Sequence, residues 1–152
     1  MFSGASALNL DAKGRIAMPT RYRELLRANH EGKLVVTVDI QSACLLIYPL
    51  NEWLVIADKL QKLSDTQPQE RAVKRLLLGY AQECELDGNG RILVTPPLRK
   101  YAALDKKLML VGQLNKFELW DEQLWQQQLD DSLALIRTEG ITASDRLADF
   151  SL

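Results

Sequence analysis

The chain states one pattern twice, and that repetition limits its possible folds more than any single residue does. Leu10-Asp11-Ala12-Lys13-Gly14-Arg15-Ile16 returns as Leu86-Asp87-Gly88-Asn89-Gly90-Arg91-Ile92, with Asp, Gly, Arg and Ile in register. Eight residues after each arginine comes another, Arg23 and Arg99. Leu46-Ile47-Tyr48 is answered by Glu118-Leu119-Trp120, and Trp53 by Trp125. Two copies of one unit within 152 residues imply one pseudo-symmetric domain that shows its shared motif twice on the surface.

Each copy reads as strand, strand, short helix, strand, strand, closed by a further helix. Leu8-Asn9-Leu10 and Ile16-Ala17-Met18 alternate as half-buried strands do. Between them, Asp11 suits the first position of a type I turn and Gly14 supplies the positive φ that closes it, so a β-hairpin is expected. Asp87 and Gly90 repeat this chemistry. Pro19 is expected in the first turn of a helix with Tyr22, Leu25 and Leu26 on its apolar face, and Thr95 caps the equivalent helix before Pro96. Both helices should span about two turns. The runs Lys33–Val38 with Cys44–Tyr48, and Lys107–Val111 with Phe117–Trp120, supply the remaining strands.

Asn51 is expected to cap a helix bearing Trp53, Ile56, Leu60 and Leu63, and Asp121 one bearing Trp125, Leu129, Leu133 and Ile136. Ser64 to Pro68 breaks the chain before a connecting helix with Ala72, Val73, Leu76, Leu77 and Tyr80 on one side. The expected organisation is a first module over 5–52, a helical connector over 53–80, a second module over 81–124, and a C-terminal helix with an acidic tail over 125–152.

Charge is unevenly placed. From Glu118 onward eight acids face two arginines, and since the whole chain carries −1, the residues before Glu118 carry +5. A basic head with an acidic tail suits an anionic partner such as nucleic acid. Nothing approaches the roughly 20 apolar residues needed to span a bilayer, and the N-terminus lacks the pattern of a secretory signal. Cys44 and Cys84 stand far apart and read as reduced structural thiols of a cytosolic protein.

Catalysis has little to stand on. His30 is the only histidine and reads as a solvated loop residue, so no metal site is expected. No phosphate-cradling glycine loop or nucleophile elbow occurs. Asp87-Gly88-Asn89-Gly90 fails as a calcium loop, because its twelfth position is Leu98 rather than Glu. The pairs Asp130-Asp131 and Asp121-Glu122 read as a solvated helix face, and the three tryptophans as core or interface anchors. No enzymatic activity and no cofactor is expected.

Asp11-x-Lys13-Gly14-Arg15-Ile16-x-x-Pro19-x-x-x-Arg23 resembles the swapped-hairpin modules of AbrB-type regulators and antitoxins. Two such modules, with Leu46-Ile47-Tyr48-Pro49-x-x-Glu52-Trp53 and Leu76-Leu77-Leu78-Gly79 between them, resemble the MraZ family from Met1 to about Gln128. The resemblance implies a mainly β, α+β fold: two AbrB-like swapped-hairpin modules forming one pseudo-symmetric, double-psi-type barrel, with C-terminal helices. It also implies a cytoplasmic, nucleoid-associated repressor of the division and cell-wall gene cluster and of its own gene. Such a repressor binds short direct repeats in double-stranded promoter DNA as a ring-shaped homo-oligomer.

On this sequence the family's Asp-x-x-x-Arg signature falls on Asp11 with Arg15 and on Asp87 with Arg91. Arg15 is the expected DNA contact and Lys13 its support on phosphate; Arg21, Arg23, Arg91, Arg99 and Lys100 are lesser candidates. Asn89 replaces the turn lysine in the second copy, and Thr95 stands in place of its helix-starting proline, which points to a more structural share for that copy. The alternative reading is an AbrB-like antitoxin that binds DNA and a toxin partner.

Overall fold

The computed structural model describes residues 1–152 and shows a mixed α+β protein with a mainly antiparallel sheet and short helices. The first copy contributes β1 (Ala5–Asn9), β2 (Arg15–Ala17), α1 (Thr20–His30), β3 (Lys33–Val38) and β4 (Leu45–Pro49). Two helices follow, α2 (Leu50–Gln61) and α3 (Pro68–Gly79). The second copy contributes β5 (Gln82–Glu85), β6 (Arg91–Leu93), α4 (Pro96–Tyr101), β7 (Lys107–Gly112) and β8 (Phe117–Asp121), and the chain ends with α5 (Glu122–Glu139) and α6 (Asp145–Ala148).

The copies interleave. Six strands form one sheet in the order β1-β7-β8-β4-β3-β5, while β2 pairs with β6 in a separate ribbon. The first strand of each copy therefore joins the third strand of the other: β1 with β7, and β5 with β3. Within the ribbon Ile16 lies opposite Ile92, its own counterpart. In the sheet, Leu46 lies opposite its counterpart Glu118. A pseudo-twofold axis relates the copies through these two pairs.

This arrangement corrects the expected hairpins. Asp11–Gly14 and Asp87–Gly90 do form tight turns, each closed by the Asp N–H donating to the Arg carbonyl four residues on and the Gly N–H donating to the Asp carbonyl. The strands on either side of each turn then part, because their ladder partners come from the other copy. The turn is local, but its strands are not each other's ladder partners.

Strand β3 has both faces covered, so its sequence Leu34-Val35-Val36-Thr37-Val38 does not alternate. Leu34, Val36 and Val38 enter the main core with Leu45, Ile47, Leu110, Phe117 and the facing Ile16 and Ile92. Val35 points the other way and packs with Tyr48, Trp53 and Leu60 beneath α2. Thr37, also buried, donates its hydroxyl to the Leu77 carbonyl and ties α3 to that face. Phe2, Tyr22 and Phe117 form an aromatic cluster with ring centroids 4.3–5.7 Å apart.

Several local expectations shift. Helix α1 runs eleven residues rather than two turns, and Pro19 occupies its N-cap, one residue before the helix begins. Thr95 is the N-cap of α4, although its side chain makes no capping bond. Pro49, not Asn51, caps α2, because the helix starts directly from the end of β4. On α3, Val73 and Leu77 pack inward, whereas Ala72 and Leu76 are exposed. His30 is the last residue of α1 and partly buried, not a loop residue.

By contact the chain divides into Met1–Glu122 and Gln123–Leu152. In the second unit the side chains from Asp130 onward are exposed except for the half-buried Leu147. Leu133 and Ile136, expected on an apolar face, are among the exposed ones. No helix is long and apolar enough to cross a membrane.

Phe117 is fully buried, stacks on Phe2 and meets the Tyr22 ring edge-on. Phe117→Ala is expected to lower unfolding free energy by about 3–5 kcal/mol, the usual loss for a large buried aromatic. Urea denaturation followed by circular dichroism checks this.

Candidate nucleic-acid interface

The two Asp-x-x-Gly-Arg turns are built almost identically. Asp11 Oδ1 accepts the backbone N–H groups of Lys13 and Arg15, both at 2.9 Å, while Oδ2 accepts from Arg15 Nε at 2.8 Å. Asp87 does the same for Asn89, Arg91 and Arg91 Nε, at 2.9, 2.9 and 3.1 Å. One carboxylate thus shapes the turn and grips the guanidinium by its inner nitrogen. That grip fixes the plane of the arginine fork and leaves the two terminal nitrogens for an outside acceptor.

The arginines are neither buried nor freely waving. The Arg15 and Arg91 side chains are 27% and 31% exposed, and their Asp partners 36% and 38%. Solvent screens pairs this open, so a phosphate can compete for the cation. Ribbon register places both arginines on one face: Arg15 is opposite Leu93 and Arg91 opposite Ala17, while Ile16 and Ile92 point into the core. Diagonal ladder positions of this kind lie about 7–8 Å apart.

Each turn is held by the other copy. The Gly14 carbonyl accepts from the Val94 N–H, and the Gly90 carbonyl from the Met18 N–H, at 2.8 and 2.9 Å. Arg99, from α4, lays its guanidinium across Gly14; Arg23, from α1, crosses Gly90. A Cβ added at Gly90 would stand 2.2 Å from Arg23 Nε, and one at Gly14 3.0 Å from Arg99 Cζ. Both glycines also hold positive φ, +81° and +72°. Glycine is needed here twice over, for backbone conformation and for the crossing arginine.

The remaining sequence candidates are placed as follows. Lys13 and Lys100 are exposed. Arg21 folds back along β1, bonding Ser6 Oγ and Tyr22 Oη while lying 4.5 Å over the Tyr22 ring. Arg23 donates Nε to the Met18 carbonyl at 2.6 Å. Sequence reasoning gave Arg27 no role, yet its Nη2 donates to the Asp87 carbonyl at 2.9 Å. Its position four residues after Arg23, on the same face of α1, was the available signal.

Outside this face, Asp39, Cys44 and Glu118 bring one ligand-type atom each within 4.8 Å of one another. Burial, with the Glu118 and Asp39 charges, pushes the Cys44 thiol well above its ordinary range, and the thiol faces Asp39 Oδ2 at 3.7 Å. The contact is that of a thiol donating to a carboxylate. Burial likewise pushes Cys84 up to about 12. Both cysteines are free.

Fold and turn together define a class: tandem β modules that cross-pair and present two arginine-bearing turns on one ribbon face. A family model described as "MraZ protein, putative antitoxin-like" matches residues 1–76 and again 77–147. The chain belongs to the MraZ family. It is 70% identical over 152 residues to the transcriptional regulator MraZ of Shewanella pealeana, covering both chains completely. The proteins of that name from Shewanella piezotolerans and Shewanella amazonensis match it equally, at 70% over the full length of each. These relatives are named as transcriptional regulators.

Two predictions follow from the turn geometry. Gly14→Ala and Gly90→Ala each force a side chain into the left-handed region, costing about 1–2 kcal/mol. Gly90→Ala is expected to cost more, because Arg23 is anchored at Met18 and stands nearer; paired urea titrations measure the difference. Backbone N–H donation, from Arg15 to Asp11 and from Arg91 to Asp87, is the leading cause holding both carboxylates below their ordinary 3.8. Their stabilisation is present above that value and disappears as pH falls through the lower folded values. Denaturation midpoints are therefore expected to drop below about pH 4. Asp11→Asn should flatten part of that dependence.

Proposed function

We propose that this chain is a DNA-binding transcriptional repressor of the division and cell-wall gene cluster, including its own gene. It acts in the cytoplasm, associated with the nucleoid, and binds short direct repeats in the promoter as a ring-shaped homo-oligomer. The observation that carries this reading is the Asp-oriented arginine, with Nε held by carboxylate and the side chain still partly exposed. Full-length identity to proteins named transcriptional regulators supports it. The crossed pairings of β1 with β7, β3 with β5 and β2 with β6 support a swapped-hairpin barrel as its scaffold.

Arg15 is the direct contact in this reading and Lys13 its phosphate partner. A guanidinium fork fits the O6 and N7 acceptors of guanine in the major groove, the commonest specific contact. One chain offers few cations, so its own grip is weak and falls with salt at a log–log slope near −0.9 per phosphate neutralised. A ring multiplies that grip by roughly 10²–10⁴ when repeat spacing matches subunit spacing. Protein covering the promoter then excludes polymerase.

The antitoxin-like character of the family favours a second reading, in which the chain also binds a toxin partner. Copurification of a small ribonuclease with the protein would support that reading.

Arg15→Ala is expected to abolish operator binding while leaving the fold and assembly intact. Gel shift at matched salt, alongside native mass and circular dichroism, is the test. Wild-type affinity in the variant would refute the site.

A further inference from the structure

The turns match in backbone but differ in the cations around them. At the first turn, Lys13 is exposed with no side-chain partner, and the Arg99 guanidinium makes neither a hydrogen bond nor an ion pair. Arg99 Nε is sealed from solvent and unpartnered, beside the Gly14 backbone. Its counterpart at the second turn, Arg23, is tied to the Met18 carbonyl. There Asn89 replaces the lysine, and Arg27 is tied to the Asp87 carbonyl. A guanidinium with covered Nε and unbonded terminal nitrogens lacks the acceptor that buried polar groups require. An oxyanion is the acceptor its charge and geometry suit best.

We propose that each chain carries one DNA-competent turn, assembled from both copies: Arg15 for the base edge and Lys13 for phosphate on the first, joined on phosphate by the Arg99 guanidinium laid across Gly14 from the second. The Gly90 turn is its structural twin: Asp87 holds Arg91 as Asp11 holds Arg15, but Asn89 stands in place of the lysine, and Arg23 and Arg27 are each tied to a backbone carbonyl. This inference rests on the DNA-binding reading above and specifies which half of the pseudo-symmetric face grips the duplex. Duplication thus serves two ends: one turn binds, and the other copy holds and completes it.

The test uses the full chain and a labelled duplex of the sequence upstream of its own gene, titrated at several salt concentrations. Arg99→Ala and Arg99→Gln are expected to weaken binding about tenfold. The salt slope should become shallower by about 0.9 for each chain engaged. Arg99→Lys should restore the slope, which a purely structural role would not do. Arg91→Ala should cost at least tenfold less affinity than Arg15→Ala. A wild-type slope in Arg99→Gln, or equal losses for Arg91→Ala and Arg15→Ala, overturns the proposal. Unchanged binding in Arg15→Ala and Lys13→Ala would instead remove the DNA-binding reading beneath it, and this inference with it.

Discussion

Strand exchange between the two copies is the constraint on which the rest of the structure depends. Strands β1, β2 and β5 take their ladder partners solely from the other half of the chain, and β6 does the same. Backbone N–H and C=O groups in a core need partners, so neither half can bury its strands alone without leaving polar groups unpaired. The buried faces make the same demand. Ile16 meets Ile92 across the ribbon, and Leu45 meets Leu119 across the sheet centre. The duplication in the sequence is therefore a single folding unit written as two.

The exposed turns inherit their rigidity from that exchange. A lone Asp-x-x-Gly-Arg loop would hold its arginine by one exposed ion pair, a weak tether. Here the glycine carbonyl is bonded to the opposite copy and the opposite arginine lies across the glycine. The guanidinium thus projects from a braced platform, which reduces the ordering cost when a ligand arrives. Geometry set by a strand ladder and a carboxylate is what fixes the arginine of a common turn motif in place.

Local chemistry was legible in the sequence and distant pairing was not. Asp11 and Gly14 act on residues two to four positions away, and their spacing alone foretold the tight turn, though not the bond by which Asp11 holds Arg15. The same locality misled at the strands, since alternation beside a turn says hairpin without naming the ladder partner. Arg23 and Arg99 were noticed for their spacing, but their bracing role depends on residues more than 60 positions away. Pro49 as a helix cap escaped notice because the better capping residue, Asn51, lies two positions on, and chain direction out of β4 decided the matter. Helix α3 was read as a face one step too wide, because Leu76 and Ala72 fit the periodicity yet meet solvent.

Separation of the halves measures the central claim most directly. Residues 1–80, produced alone, should be unfolded as a monomer and gain cooperative structure only by pairing, either with residues 81–152 or with a second copy of themselves. Sedimentation together with thermal melting would show folding that depends on concentration or on the added half. A first half that melts cooperatively as a monomer, with no partner present, would contradict the account.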